Sequence, residues 1–208
     1  MKAVDSSGDE EPVVDRGAAG PLDGPAWAPS DWSPDGRFIL SMIERPNNRL
    51  DIWALPLDRR RMPFAVVETP FNETNAQFSP PDGRWIAYQS DESGRVEIYV
   101  QPFPGPGRKV RISGSGGVQA RWRRDGKELF YLASDNRLMA VPIQLDPSGE
   151  NVEVGTPVPL FPTRLAGAPR NDFGRHYMVA ADGQRFLMDT PTEASIPITV
   201  VVNWKPQP

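Results

Sequence analysis

Asp172-Phe173-Gly174 is the tripeptide with which protein kinases hold magnesium, and it works only beside a Gly-rich loop, a strand lysine and a catalytic-loop Asp and Asn. None of these partner motifs occurs in the chain, so the tripeptide reads as a loop word. The single histidine, His176, would serve as a general base only next to a nucleophile, and no G-x-S-x-G elbow supplies one. Its place beside Tyr177 at a strand start makes it structural. Oxygen donors for a cation exist in Asp91, Glu92 and Asp135 and in the aspartates of four Asp-Gly pairs, yet no EF-hand spacing or histidine pair accompanies them. Turn formation, in which an Asp side chain bonds the backbone nearby, accounts for these acids. Ser113-Gly114-Ser115-Gly116-Gly117 is rich enough in glycine to approach a phosphate. A strand follows it, however, where a phosphate cradle would use a helix N-terminus, so it reads as a flexible connector. With no cysteine there is no thiolate nucleophile, disulfide or sulfur-ligated metal. No catalytic, cofactor-binding or metal-ligating residue is expected, and no cofactor.

The elements that carry these residues repeat. Trp32-Ser33-Pro34-Asp35-Gly36-Arg37-Phe38-Ile39-Leu40 returns as FSPPDGRWIAY from Phe78 to Tyr88, as WRRDGKELFYL from Trp122 to Leu132 and as VAADGQRFLM from Val179 to Met188. Each copy joins an apolar residue, an Asp-Gly corner and an apolar run rich in aromatic and branched side chains, which is the pattern of a hairpin. Ser33-Pro34-Asp35-Gly36 fits a type I turn, with Pro34 presetting φ and Gly36 taking the left-handed conformation that follows. The Asp-Gly pairs begin at 35, 82, 125 and 182, spaced 47, 43 and 57 residues apart. Periods near 40 to 50 residues with strand content throughout mark propeller blades, each a four-stranded antiparallel sheet that buries its faces only against neighbours. The expected fold is all-β, a partial β-propeller of about three and a half four-stranded antiparallel blades.

Composition agrees with this. Twenty-four prolines and 18 glycines in 208 residues leave no room for long helices and suit short strands joined by turns. A net charge of −4 gives no electrostatic footprint for nucleic acid or an anionic membrane. The run Arg59-Arg60-Arg61 and the group Arg121, Arg123 and Arg124 are local exceptions at strand ends and loops, where solvated charge is the expectation. Trp27, Trp32, Trp53, Trp85, Trp122 and Trp204 fall in or beside strands and are assigned to packing between blades. No apolar run reaches the roughly 20 residues of a bilayer span, and the N-terminus lacks the basic-then-apolar order of a secretory leader.

Residues 1–25 are expected to be a poorly ordered or residual-blade lead-in, with the propeller segment at 26–208 and blades near 26–70, 71–114, 115–162 and 170–208. In the second blade Val96, Ile98 and Val100 alternate with Arg95, Glu97 and Tyr99, which predicts one buried and one wetter face. Val152 to Phe161 should hold the outer strand of the third. Open sides on the first and last blades would expose apolar surface and strand edges and favour self-association.

The S-P-D-G-R corner, its apolar strand and the following D-I-W or E-I-Y resemble the PD40 repeat, a WD40-like unit of TolB-like β-propellers. The wording WRRDGKELFYLASDNRLMAVPI, with the terminal PITVVVNW, resembles the C-terminal propeller attached to bacterial Ser/Thr protein kinases. That resemblance covers roughly residues 27 to 205. It implies a non-catalytic binding or scaffold module, the sensor-like and extracytoplasmic part of a membrane-anchored kinase, whose protein or small-ligand partner is not specified. A TolB-like domain that binds envelope proteins, or the propeller of a prolyl-oligopeptidase-type peptidase without its hydrolase domain, are the alternatives. Because such propellers have more blades than this chain supplies, it is expected to be a fragment or the retained end of a longer propeller, its ring completed by further sequence or by a second copy.

Overall fold

A computed structural model describes residues 27–45, 49–58, 61–105, 107–165, 175–190 and 198–201 of the chain. The lead-in at 1–25 lies outside the described residues. Strands account for all the regular structure among those described, and they form four antiparallel sheets in chain order. Sheet 1 is β1 (Trp27–Trp32), β2 (Phe38–Glu44), β3 (Leu50–Pro56) and β4 (Phe64–Val67). Sheet 2 is β5 (Glu73–Phe78), β6 (Trp85–Ser90), β7 (Glu97–Pro102) and β8 (Val110–Arg111). Sheet 3 contains β9 (Gly117–Trp122), β10 (Glu128–Ala133), β11 (Arg137–Leu145), β12 (Val152–Val154) and β13 (Val158–Pro162). Sheet 4 is β14 (Tyr177–Val179), β15 (Phe186–Asp189) and β16 (Ile198–Val201).

The Asp-Gly corners make the hairpins. Gly36 N–H donates to the Ser33 carbonyl at 2.9 Å, and Gly36 takes φ +74°. The Asp35 carboxylate accepts from Arg37 N–H at 3.0 Å, and Asp82, Asp125 and Asp182 do the same for Arg84, Lys127 and Gln184. Four aspartates recur at one place because four turns need the same local bond. Hydrogen bonds from the Ser33 hydroxyl and the Arg37 amide hold Asp35 below the ordinary carboxylate range, and the Arg123 guanidinium does the same for Asp125.

Alternation along each strand sends successive side chains to opposite neighbours. From β6, Ile86 and Tyr88 pack against Phe38, Leu40, Ile52 and Ala54 of sheet 1, while Trp85 and Ala87 pack against Leu129, Tyr131, Val141 and Ile143 of sheet 3. Phe130 and Leu132 of β10 turn the other way, onto Tyr177, Phe186 and Met188 of sheet 4. Three apolar layers thus separate four sheets, and the middle sheets are buried on both faces. The expected wetter face holds at Arg95, which is exposed, but not further along: Tyr99 is 4% exposed in the layer against sheet 1, and Glu97 is 1% exposed, engaged by the Ser113–Gly116 connector.

Sheet 3 departs from the four-strand plan. Its outer edge comes in two pieces, with β13 pairing Arg137 to Ala140 of β11 and β12 pairing Ile143 to Leu145. The break falls at Pro142, which has no N–H to give a continuous ladder. The outer sides of the end sheets are mixed, partly exposing apolar surface as expected. Trp32 is 50% exposed on sheet 1, and the cross-strand partners Met178 and Leu187 are exposed on sheet 4. Ile43, Trp53 and Leu55, on the outer side of sheet 1, are nevertheless buried.

Candidate functional site

A cleft of about 630 Å³ opens at the turn-bearing end between sheets 2 and 3. The 80–82 turn and Arg84 form one wall, Asp125 to Lys127 another, and the β11 end through Pro147 the third. Trp85 lies at its base, 1% exposed, with its indole N–H donating to the Asp146 carbonyl at 3.2 Å. Arg84 Nη1 donates to the Pro147 carbonyl and ties the third wall to the first. Charged groups of both signs and proline rings thus rim an apolar base, a composition that suits a small organic molecule or a short peptide segment.

A second, polar region lies where the first strands of the sheets converge. Asn75 and Gln119 have positive φ, 53° and 57°, at bulges in β5 and β9. Their turned N–H groups reach the preceding sheet, Asn75 donating to Met42 Sδ at 3.2 Å and Gln119 to Gln89 Oε1 at 2.6 Å. His176 N–H continues the series by donating to Gln119 Oε1 at 2.9 Å. The histidine backbone therefore stitches sheet 4 to sheet 3. Tyr177 adds a hydroxyl bond to the Gln119 carbonyl at 2.8 Å, and burial raises its pKa.

Other residues singled out from sequence are distributed as follows. Asp172-Phe173-Gly174, Arg59, Arg60 and Trp204 lie outside the described residues. Asp91 accepts from Asn72 N–H at 2.9 Å and its neighbour Glu92 pairs with Lys109, while Asp135, in a turn of the next sheet, accepts from Arg137 N–H at 3.1 Å, so each acid already has its own partner. Among the described residues, no three His, Asp or Glu groups come together as a metal site. Arg123 pairs with Asp125 at 2.8 Å and Glu128 at 2.9 Å. Arg121 is not a solvated charge: it is 9% exposed, with its guanidinium 5.7 Å from the centre of the Tyr177 ring. Its position between Ala120 and Trp122, in a strand covered on both sides, was the available signal.

The connector at 113–117 is held at several points. Ser113 Oγ donates to Glu97, and Gly116 N–H donates to Glu97 Oε1 at 3.0 Å. The acid of the E-I-Y word is thus a clasp on the segment that passes to the next sheet. Glu73, at the same end of the sheets, is wholly buried; its Oε1 accepts from Thr69 Oγ1 at 2.6 Å and Ser90 Oγ at 3.1 Å, while Oε2 has no partner among the described residues. Burial raises its pKa, outweighing the two hydroxyl bonds. A carboxyl whose folded pKa is raised adds stability that is complete below its unfolded pKa and is lost as pH rises through the folded value. Glu73→Gln should therefore raise the thermal midpoint at pH 7 by a few degrees and leave it unchanged near pH 4. A lowered midpoint at pH 7 would contradict a raised Glu73 pKa.

No protein-family model matches the sequence, and no curated protein matches it. Solved structures do. TolB from Acinetobacter baumannii superposes with a TM-score of 0.57 at 23% identity, over 88% of this chain and 41% of that one. A puromycin-hydrolyzing peptidase of Mycobacterium tuberculosis superposes with a TM-score of 0.60 at 20% identity, over 84% of this chain and 29% of that one. Both carry β-propeller folds.

The fold is a partial β-propeller. Its four sheets are blades, the layers Phe38 to Tyr99, Trp85 to Ile143 and Val118 to Met188 are interblade cores, and the chain spans less than half the length of either matched structure. In propeller terms the cleft sits at the interblade rim of blades 2 and 3, and the Asn75, Gln119 and His176 series lines the axis side.

Proposed function

We propose that this chain is a non-catalytic recognition module, the propeller segment of a bacterial signalling protein of the Ser/Thr kinase-associated type, which takes its ligand in the rim cleft of blades 2 and 3. The observation that carries this reading is the cleft itself. It has the size of a small-molecule site, and its acids and bases already serve turns and interblade bonds, with Asp82 and Asp125 accepting backbone N–H and Arg84 tied to Pro147. The kinase association rests on the resemblance of the WRRDGKELFYLASDNRLMAVPI wording.

A fragment screen read by amide and indole NMR shifts tests it on the full chain. Perturbations should gather on the Trp85 indole, Lys127, Gln144 and Leu145, and Lys127→Glu should weaken those hits. Perturbations confined to another face would overturn the cleft assignment, and phosphate incorporation above background in a phosphotransfer assay would overturn the non-catalytic one. A second reading is favoured by the likeness to the Mycobacterium tuberculosis peptidase: a propeller that accompanies a hydrolase domain. Retention of a hydrolase domain by the isolated propeller in a binding assay would favour it over the first. The likeness to TolB supports a third, an envelope protein-interaction domain, which a single envelope protein held in pull-down would favour.

A further inference from the structure

A cavity of about 50 Å³ lies on the axis side, lined by Ser30, Met42, Asn75, Gln77, Arg121 and Arg175 among others. Arg175, exposed just before β14, closes it by donating from Nη2 to the Ser30 carbonyl of β1 at 2.9 Å, across 145 residues of sequence. Arg121 enters from β9. Its Nη1 donates to the Ala120 carbonyl at 2.7 Å and its guanidinium carbon lies over the Tyr177 ring, and among the described residues its other N–H donors have no protein acceptor.

Among the described residues, no carboxylate stands within ion-pairing distance of either arginine. Asp31 is the acid whose charge acts on both, yet its carboxylate is engaged by Phe78 N–H at 2.8 Å. Burial first, and to a smaller extent the charge of Arg175, disfavours the charged form of Arg121. Two guanidiniums facing one small polar cavity, one of them buried, form a costly arrangement unless a counter-charge enters.

We propose that Arg121 and Arg175 together bind one oxyanion, a carboxylate or phosphate group, in this axial cavity. Guanidinium forks match the planar carboxylate and the tetrahedral phosphate alike. The volume admits a single such group and falls well short of the roughly 300–1,000 Å³ of a site for a whole drug-sized molecule. The ligand is therefore a small free oxyanion or the anionic end of a longer molecule reaching in from the side of Arg175. This site is separate from the rim cleft and stands whether or not that cleft binds anything.

Thermal midpoints of the full chain, measured against sodium phosphate and sodium succinate at ionic strength held constant with sodium chloride, test the assignment. At least one anion should raise the midpoint in a saturable way. Phosphate acting alone assigns a phosphate group, and succinate acting alone assigns a carboxylate. Arg121→Gln should abolish the shift, and Arg175→Gln, an exposed change that leaves the interblade cores intact, should weaken the apparent affinity roughly tenfold or more. No shift with either anion would overturn the proposal. So would an equal shift in wild type and Arg175→Gln, which would mark a general salt effect.

Discussion

Trp85→Ala should lose about 3–5 kcal/mol of stability, the range for deleting a large buried aromatic from a packed core. Trp85 is 1% exposed and is shared by the second interblade core, where Leu129, Val141 and Ile143 meet Ala87 and Val100. Its loss opens a cavity between two blades and removes the indole bond to the Asp146 carbonyl that anchors the cleft wall. Trp32→Ala is the matched control. Trp32 holds the place in β1 that Trp122 holds in β9, four residues before the turn glycine. Trp122 packs into an interblade core, whereas Trp32 is 50% exposed. Its replacement should cost no more than about 1 kcal/mol. Urea denaturation of both variants separates them, and equal losses would mean that Trp85 is not held between blades.

Gly126→Ala should be the most damaging of the turn-glycine changes, costing about 3 kcal/mol or more, against about 1 kcal/mol for Gly36→Ala. The two glycines have nearly the same φ, +72° and +74°, so the left-handed strain of an alanine is common to both. Their surroundings differ. A methyl group on Gly126 would collide with the Pro80 carbonyl oxygen of the preceding blade's turn, and that backbone cannot swing aside as a side-chain end could. A methyl on Gly36 meets nothing within 4 Å. Gly83 is intermediate, its added carbon 3.0 Å from Pro34 Cδ. Each corner of blades 2 and 3 thus seats on the corner before it. Similar losses at Gly36 and Gly126 would contradict this seating.

The corners were legible in the sequence because their chemistry is local: Ser33, Asp35 and Gly36 specify a turn without reference to the rest of the chain, and the apolar words around them specify strands. The stacking direction was legible in outline from the period. What was not legible depends on neighbours. Tyr99 looked half-wet until sheet 1 covered it and Glu97 until the 113–116 connector engaged it, and Arg121 looked solvated because nothing adjacent in sequence announces the Tyr177 ring 56 positions later. The bulges at Asn75 and Gln119 shift the alternation within β5 and β9, so face assignments made by strict period two fail there. The Ser113–Gly117 connector has the composition of a flexible link, and only the carboxylate of Glu97, reaching from β7, fixes it. The cleft was not legible at all, since its walls come from three turns of two blades.

Polar residues of this molecule mainly make turns and join blades, and aromatic residues fill the layers between them. Proton NOEs between side chains of different blades test this most directly. The Phe130 and Phe186 rings, 5.1 Å apart edge to face, should show cross-peaks that join blades 3 and 4, and Phe38 should show them to Phe103, at 5.2 Å, joining blades 1 and 2. Cross-peaks from the Trp85 ring to the Val141 methyls should join blades 2 and 3. Aromatic NOEs restricted to residues of one sheet, or linking Phe38 directly to Phe186, would show that the sheets do not stack in chain order and would contradict the account.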